Sequence, residues 1–162
     1  MAGKMQNKDI KFMSLAIEKA KEGVKKGQTP FGACIVKGNK IIACSHNIVW
    51  KSCDITAHAE IQAIRIACRN LKNIDLSGCT IYSTTEPCPM CFSAAHWAKI
   101  SRIVFGAQIK DAKDYGFNEL RVSNLKLAKL GENAIHITSG VLRKENLALF
   151  EYWKRLAKSK VY

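Results

Sequence analysis

Between residues 8 and 26 the apolar side chains Ile10, Met13, Leu15, Ala16, Ile17, Ala20 and Val24 recur at helical spacing, with lysines between them. This pattern predicts an amphipathic helix with one wet face. Gly23 and Gly27 weaken and then end it, and Gln28-Thr29-Pro30 reads as a turn. The period then changes. Phe31 to Val36 and Lys40 to Ser45 are apolar runs split by Gly38-Asn39, a hairpin signal. His46-Asn47 leads into a polar loop running to Asp54. Thr56 is placed to cap a helix whose apolar residues are Ile61, Ala63, Ile64, Ala67 and Leu71. After the turn Leu76-Ser77-Gly78, Cys79 to Ser83 reads as a strand, Pro89 opens a helix over 89–98, and Arg102 to Phe105 is a strand closed by Gly106. Residues 107–119 read as loop and 120–130 as a basic helix. Ala134 to Thr138 forms a further strand, and a last helix over 143–159 has Leu147, Leu149, Phe150, Trp153 and Leu156 as its apolar positions. A helix, two strands, then alternating helices and strands predict a three-layer α/β/α sandwich around one mixed, roughly five-stranded sheet.

Composition narrows the class. A chain of 162 residues with 48% hydrophobic content is expected to form one domain, 1–162, with a real core. No apolar run approaches the roughly 20 residues that span a bilayer. The N-terminus has no apolar stretch of the signal-peptide kind. The seven cysteines are an odd number without a dense framework, so the expectation is a cytoplasmic protein with its thiols free. Cys34, Cys44, Cys68 and Cys79 fall in apolar stretches and are expected as small core residues. Cys53, in the loop, has no assignable role. The formal charge of +13 sits mainly at the two ends. Such a surface attracts polyanions or simply keeps the protein dissolved, and no aromatic residues are interleaved for base stacking.

The candidate chemistry lies in Thr85-Glu86-Pro87-Cys88-Pro89-Met90-Cys91 and His58-Ala59-Glu60. His58, Cys88 and Cys91 make three zinc ligands, and three protein ligands leave the fourth position of a catalytic site to water. In a regular helix, side chains two apart point about 200° away from each other. Glu60 therefore shares a site with His58 only near a helix start, which the Thr56 cap provides. Pro89 likewise puts Cys88 at a helix entry and Cys91 in its first turn, where thiolates are favoured. His46, His96 and His136 read as surface or packing histidines.

His58-Ala59-Glu60 followed by Pro87-Cys88-Pro89-Met90-Cys91 resembles the zinc-dependent cytidine and nucleobase deaminase superfamily. The resemblance implies the cytidine deaminase-like fold, a Zn²⁺ ion on His58, Cys88 and Cys91, and hydrolytic loss of a ring amino group with Glu60 relaying the proton. Within the superfamily, Pro30-Phe31-Gly32-Ala33, His96-Trp97-Ala98, Tyr115-Gly116-Phe117-Asn118-Glu119 and the tail Phe150-Glu151-Tyr152-Trp153 to Tyr162 are most similar to bacterial guanine deaminases. That implies deamination of guanine to xanthine in purine catabolism. Glu60 and Glu119 would be catalytic, and Asn47, Phe31, Trp97, Ala59 and Tyr162 would contact substrate. It also implies a homodimer in which the C-terminal helix and tail, about 143–162, reach the partner's pocket. The alternative is a tRNA-specific adenosine deaminase acting at the anticodon wobble position, which the strand Arg102 to Ala107 and the basic charge also resemble. A zinc-stabilised interaction module without catalysis is the third reading.

Overall fold

The computed structural model describes residues 7–156 and 159–162. The chain runs α1 (Asn7–Lys25), β1 (Gly32–Lys37), β2 (Lys40–His46), α2 (Val49–Ser52), α3 (Ala59–Leu71), β3 (Cys79–Thr85), α4 (Pro89–Trp97), β4 (Arg102–Ala107), α5 (Ile109–Asp114), α6 (Asn124–Leu130), β5 (His136–Ser139) and α7 (Arg143–Lys154). The five strands form one sheet in the order β2-β1-β3-β4-β5. β1 is antiparallel to β2 and β3, whereas β3, β4 and β5 run parallel. The mixed three-layer architecture is the one predicted.

Strand alternation sorts the core into two halves. Ala33, Ile35, Ile81, Ile103 and Phe105 point to one face and meet Ala59, Ala63 and Ala67 of α3 and Phe92 and Ala95 of α4. Cys34, Val36, Tyr82 and Val104 point to the other, where Phe12, Met13, Ala16 and Ala20 of α1 and Leu149 of α7 cover them. The four-residue spacing of the α3 alanines gives a flat ridge that lets the helix lie close on the sheet. α1 approaches more closely still: a Cβ at Gly32 would overlap the carbonyl oxygen of Ala16, so only glycine fits there.

A buried polar cluster also fastens α1. Asp9, 2% exposed, accepts from Tyr82 Oη at 2.7 Å and from both Nη atoms of Arg102 at 2.8 and 2.9 Å. Burial raises the Asp9 pKa, but the hydrogen bonds from Arg102 and Tyr82 outweigh it and hold the carboxyl below its ordinary value.

Several elements depart from the sequence reading. The loop before Asp54 contains the short helix α2. Residues 107–119 include α5, whose six residues bury only Ile109, Asp111 and Ala112, too few apolar positions to show a period. The basic helix begins at Asn124, capped by Ser123, and β5 starts at His136. α7 stops at Lys154, and positions 157 and 158 of its expected extension lie outside the described residues.

The expectation that all thiols are free is also corrected: Cys34 and Cys44 are joined as a disulfide, and the other five cysteines are free. The reason is register. Lys37 pairs with Lys40 and Val36 with Ile41, but a bulge between Ile35 and Val36 slips the pairing by one. Without that slip Cys34 would face Ala43; with it, Cys34 faces Cys44. Among the described residues, no helix is long and apolar enough to cross a membrane.

Candidate metal centre and pocket

Two helix starts converge at one end of the sheet. His58 is the N-cap of α3 in extended conformation, with Ala59 and Glu60 in the first turn. Thr56 is not the cap. It donates from its backbone N and hydroxyl to Asp54 Oδ1 at 2.8 and 2.6 Å, which shapes the turn leading into the helix. Cys88 is the N-cap of α4, with Pro89 and Cys91 in its first turn. At a helix entry the backbone turns, and residues that would diverge inside a helix, such as His58 and Glu60, are aimed at one point.

The donor atoms fit a zinc ion. His58 Nδ1 lies 3.6 Å from the Sγ atoms of both Cys88 and Cys91. Two ligands held tetrahedrally at zinc's usual bond lengths of about 2.0–2.3 Å stand roughly 3.6 Å apart. All three donors fall within 4.8 Å of one another. A hydrogen bond from Cys91 lowers the Cys88 pKa to about 4, with His58 assisting against burial. The Cys91 thiol is raised by its hydrogen bond to Cys88 and by burial. One imidazole and two sulfurs, one already biased to thiolate, are the donor chemistry that zinc prefers.

Glu60 is 7% exposed and sits behind the ligands. Its Oε1 accepts from Ser83 Oγ at 2.9 Å, and its Oε2 is 3.6 Å from Cys91 Sγ. Burial pushes its pKa up, against the pull of His58, which suits a group that must take up and release a proton. Ser83 was not singled out in the sequence. The signal that would find it is strand alternation, since Ser83 shares the α3-facing side of β3 with Ile81.

In front of the ligands lies a cavity of ≈ 320 Å³, lined by His58, Cys88, Phe117, Glu119, Leu120 and Tyr162 among others. That is the lower end of the range for small-molecule sites. Burial, helped by the Cys88 charge and opposed by His58, pushes the Glu119 carboxyl up to about 7. Two larger clefts, of ≈ 500 and ≈ 660 Å³, run along α1 and the C-terminal segment and contain none of the candidate ligands.

Tyr162 of the tail lines this cavity. Tyr162 Oη accepts from Asn47 Nδ2 at 2.6 Å, its ring stands 5.7 Å from His58 and 5.6 Å from Phe117, and its carbonyl accepts from Asn118 N at 3.2 Å. Trp50 Nε1 donates to Lys160 O at 3.2 Å. Asn47 is fully buried, and its Oδ1 accepts from Val49 N at 3.0 Å.

Of the residues named from the sequence, His58, Glu60, Cys88, Cys91, Glu119, Asn47 and Tyr162 come together, and Ala59 is fully buried at the start of α3. Phe31 stands behind the pocket, edge-on to Phe117 at 4.9 Å between ring centres. Its contact with the pocket runs through Phe117, which the sequence reading quoted only as part of a motif. Trp97 is not brought to the pocket of its own chain. It ends α4, roughly 9 Å along the axis from Cys91, and is 82% exposed.

The family model of the cytidine and deoxycytidylate deaminase zinc-binding region matches residues 6–107, which include all three candidate ligands and Glu60. The chain belongs to this deaminase family. The deaminase is 39% identical over 152 residues to the guanine deaminase of Bacillus subtilis, covering 93% of this chain and 97% of the relative. It is also 39% identical over 139 residues to the tRNA-specific adenosine deaminase of Buchnera aphidicola, covering 86% of this chain and 89% of the relative. Among solved structures, a guanine deaminase from Nitrosomonas europaea superposes with a TM-score of 0.84 at 26% identity, over 96% of this chain and 87% of the other. The family and the chemistry of hydrolytic deamination follow from these matches; both substrate types stand among the relatives at equal identity.

Proposed function

We propose that this deaminase converts guanine to xanthine and ammonia, with a zinc ion held by His58, Cys88 and Cys91. The observation that carries the reading is a second carboxyl, the half-buried Glu119, beside Tyr162 in a cavity sized for a single heterocycle. Guanine presents ring N–H and amino donors on one edge, and an acidic side chain is the acceptor they need. A ribose-phosphate chain would have to displace the whole tail, whereas a free base would displace only the Tyr162 hydroxyl from Asn47. When bound, zinc supplies Lewis-acid activation of water near neutral pH.

The residues then divide the work. Glu60, oriented by Ser83, takes a proton from the attacking water and returns it to the leaving nitrogen as the C–O bond forms and the C–N bond breaks. Glu119 accepts from the guanine edge and carries the second proton. Asn47 Nδ2 donates to a purine acceptor in place of the Tyr162 hydroxyl that it now holds. Phe117, backed by Phe31, offers a flat apolar wall to the ring, and Tyr162 shuts out bulk water.

The net charge of +13 and the tRNA-editing relatives support a second reading, adenosine deamination in an anticodon loop. Ammonia release from guanine, guanosine, adenine, cytosine, cytidine and an adenosine-bearing anticodon hairpin separates them. Guanine turnover without hairpin turnover is expected, and the reverse result overturns the proposal. A homodimer is also proposed, supported by the exposed apolar side chains Trp97, Leu125 and Leu130 on α4 and α6; a monomeric mass in solution would refute it. A cytoplasmic setting is proposed from the odd count of seven cysteines without a dense disulfide framework.

A further inference from the structure

Glu86 stands between the end of β3 and Pro87, two residues before the first cysteine ligand, and is 8% exposed. Its backbone N donates to Ala107 O at 2.8 Å, which continues the β3–β4 pairing one residue past the strand. Its side chain reaches two separate segments. Oε2 accepts from Ile109 N at 3.3 Å, and Oε1 accepts from Asn124 N at 2.8 Å. Asn124, itself fully buried, donates from Nδ2 to the carbonyl of Pro87 at 2.6 Å.

Ile109 and Asn124 are the first residues of α5 and α6, and between them runs the segment that carries Phe117 and Glu119. Both ends of that segment are thus fastened to the residues immediately preceding Cys88. A carboxylate is suited to this task because it offers two acceptor oxygens and no donor. An amide would present one acceptor and one N–H group, and the N–H would oppose one of the two backbone donors.

We propose that Glu86 is a positioning residue that sets the register of the Phe117–Glu119 loop against the metal ligands, and through it the affinity for substrate. The proposal rests on the reading above that this loop contacts the substrate. It assigns Glu86 no contact with substrate or metal. The loop also holds the tail, because Asn118 N donates to Tyr162 O, so a slip of the loop reaches the lid of the pocket as well.

The test uses Glu86→Gln in the full-length zinc-loaded protein, with Asn124→Ala as a second variant that removes only the link to Pro87. Hydrogen exchange without substrate is expected to quicken at least 10-fold at residues 115–123 in Glu86→Gln, and less in Asn124→Ala, with β3 unchanged. Zinc content is expected to stay at one ion per chain. With guanine, KM is expected to rise about 10-fold while kcat changes less than 3-fold. Combining Glu86→Gln with Glu119→Gln is expected to add little to the KM of Glu119→Gln alone, because both act through one loop. Unchanged exchange at 115–123, loss of zinc, or full multiplication of the two KM effects each overturns the proposal. If the wild type does not turn over guanine, the substrate reading fails, and the exchange measurement still decides the clamp. If Glu86→Gln does not fold, the exchange of Asn124→Ala decides: loop-specific quickening supports the clamp and its absence refutes it.

Discussion

Replacing Asp9 by Asn removes the anion on which α1, β3 and β4 converge. The carboxylate accepts from Tyr82 Oη at 2.7 Å and from Arg102 at 2.8 and 2.9 Å, while Arg102 keeps only its contact to Thr138 at 3.0 Å. The Asp9 side chain is 3% exposed and that of Arg102 is 24% exposed. Breaking a buried ion pair from one side costs about 3–5 kcal/mol, because the surviving charge stays desolvated. Arg102 is partly wet, so about 3 kcal/mol is expected here, or roughly 6–12 °C in Tm for a chain of this size. The effect should depend on pH. The folded-state pKa of Asp9 is held below its ordinary value, so its contribution is fully present above about pH 4 and is lost as pH falls through the folded pKa. Urea unfolding of wild type and Asp9→Asn at pH 7 and across the acid range measures the difference. The two curves should converge as acid protonates Asp9. Replacing the whole cluster, with Asp9→Leu, Arg102→Met and Tyr82→Phe together, should cost less than Asp9→Asn alone, since no charge is left stranded. A loss below about 1 kcal/mol at pH 7, or a gap that stays constant into acid, would show that the cluster does not pin α1 in this way.

Glu60→Gln is expected to lower kcat for the substrate by about 10²–10⁴-fold with little change in the urea midpoint, since general acid–base groups contribute on that scale; normal turnover would remove its proton-carrying role. Tyr162→Phe deletes the hydroxyl that Asn47 donates to and should weaken tail docking by about 1 kcal/mol. Trp50, bonded to Lys160 O, then reports the loosening as red-shifted emission, and an unchanged spectrum would contradict it. Gly106→Ala should destabilise by about 3 kcal/mol in urea. The new Cβ would overlap Asn146, which is held in place by donating to Val141 O and Leu142 O, and overpacking of a fixed neighbour cannot relax cheaply.

Much of the fold was legible because its signals are local. The stripe Met13, Ala16, Ile17, Ala20 identified α1, Gly38-Asn39 identified the β1–β2 hairpin, and Pro89 identified the start of α4. α5 was not legible, since its six residues bury too few apolar positions to show a period and its position depends on Arg143 from a distant helix. The chemistry of the ligands was equally local: His58 and the Cys88–Cys91 pair are recognisable by residue type and spacing, and Pro89 already implies the helix entry that aims them. Their surroundings were not. Ser83 orients Glu60 across 23 positions, Glu86 reaches 23 and 38 positions forward, and Tyr162 meets Asn47 across 115. Trp97, read as a pocket residue from its motif, stands exposed outside the pocket of its own chain because α4 carries it past the candidate ligands. Cys34 meets Cys44 only because of a one-residue bulge. By itself, then, the sequence determined the sheet-forming runs, the candidate metal donors and the candidate proton carrier, each written in residues a few positions apart. The tertiary structure decided which side chains close the pocket and which hold its loop, because those partners are set by strand order, helix length and register, and none of these has a local signature.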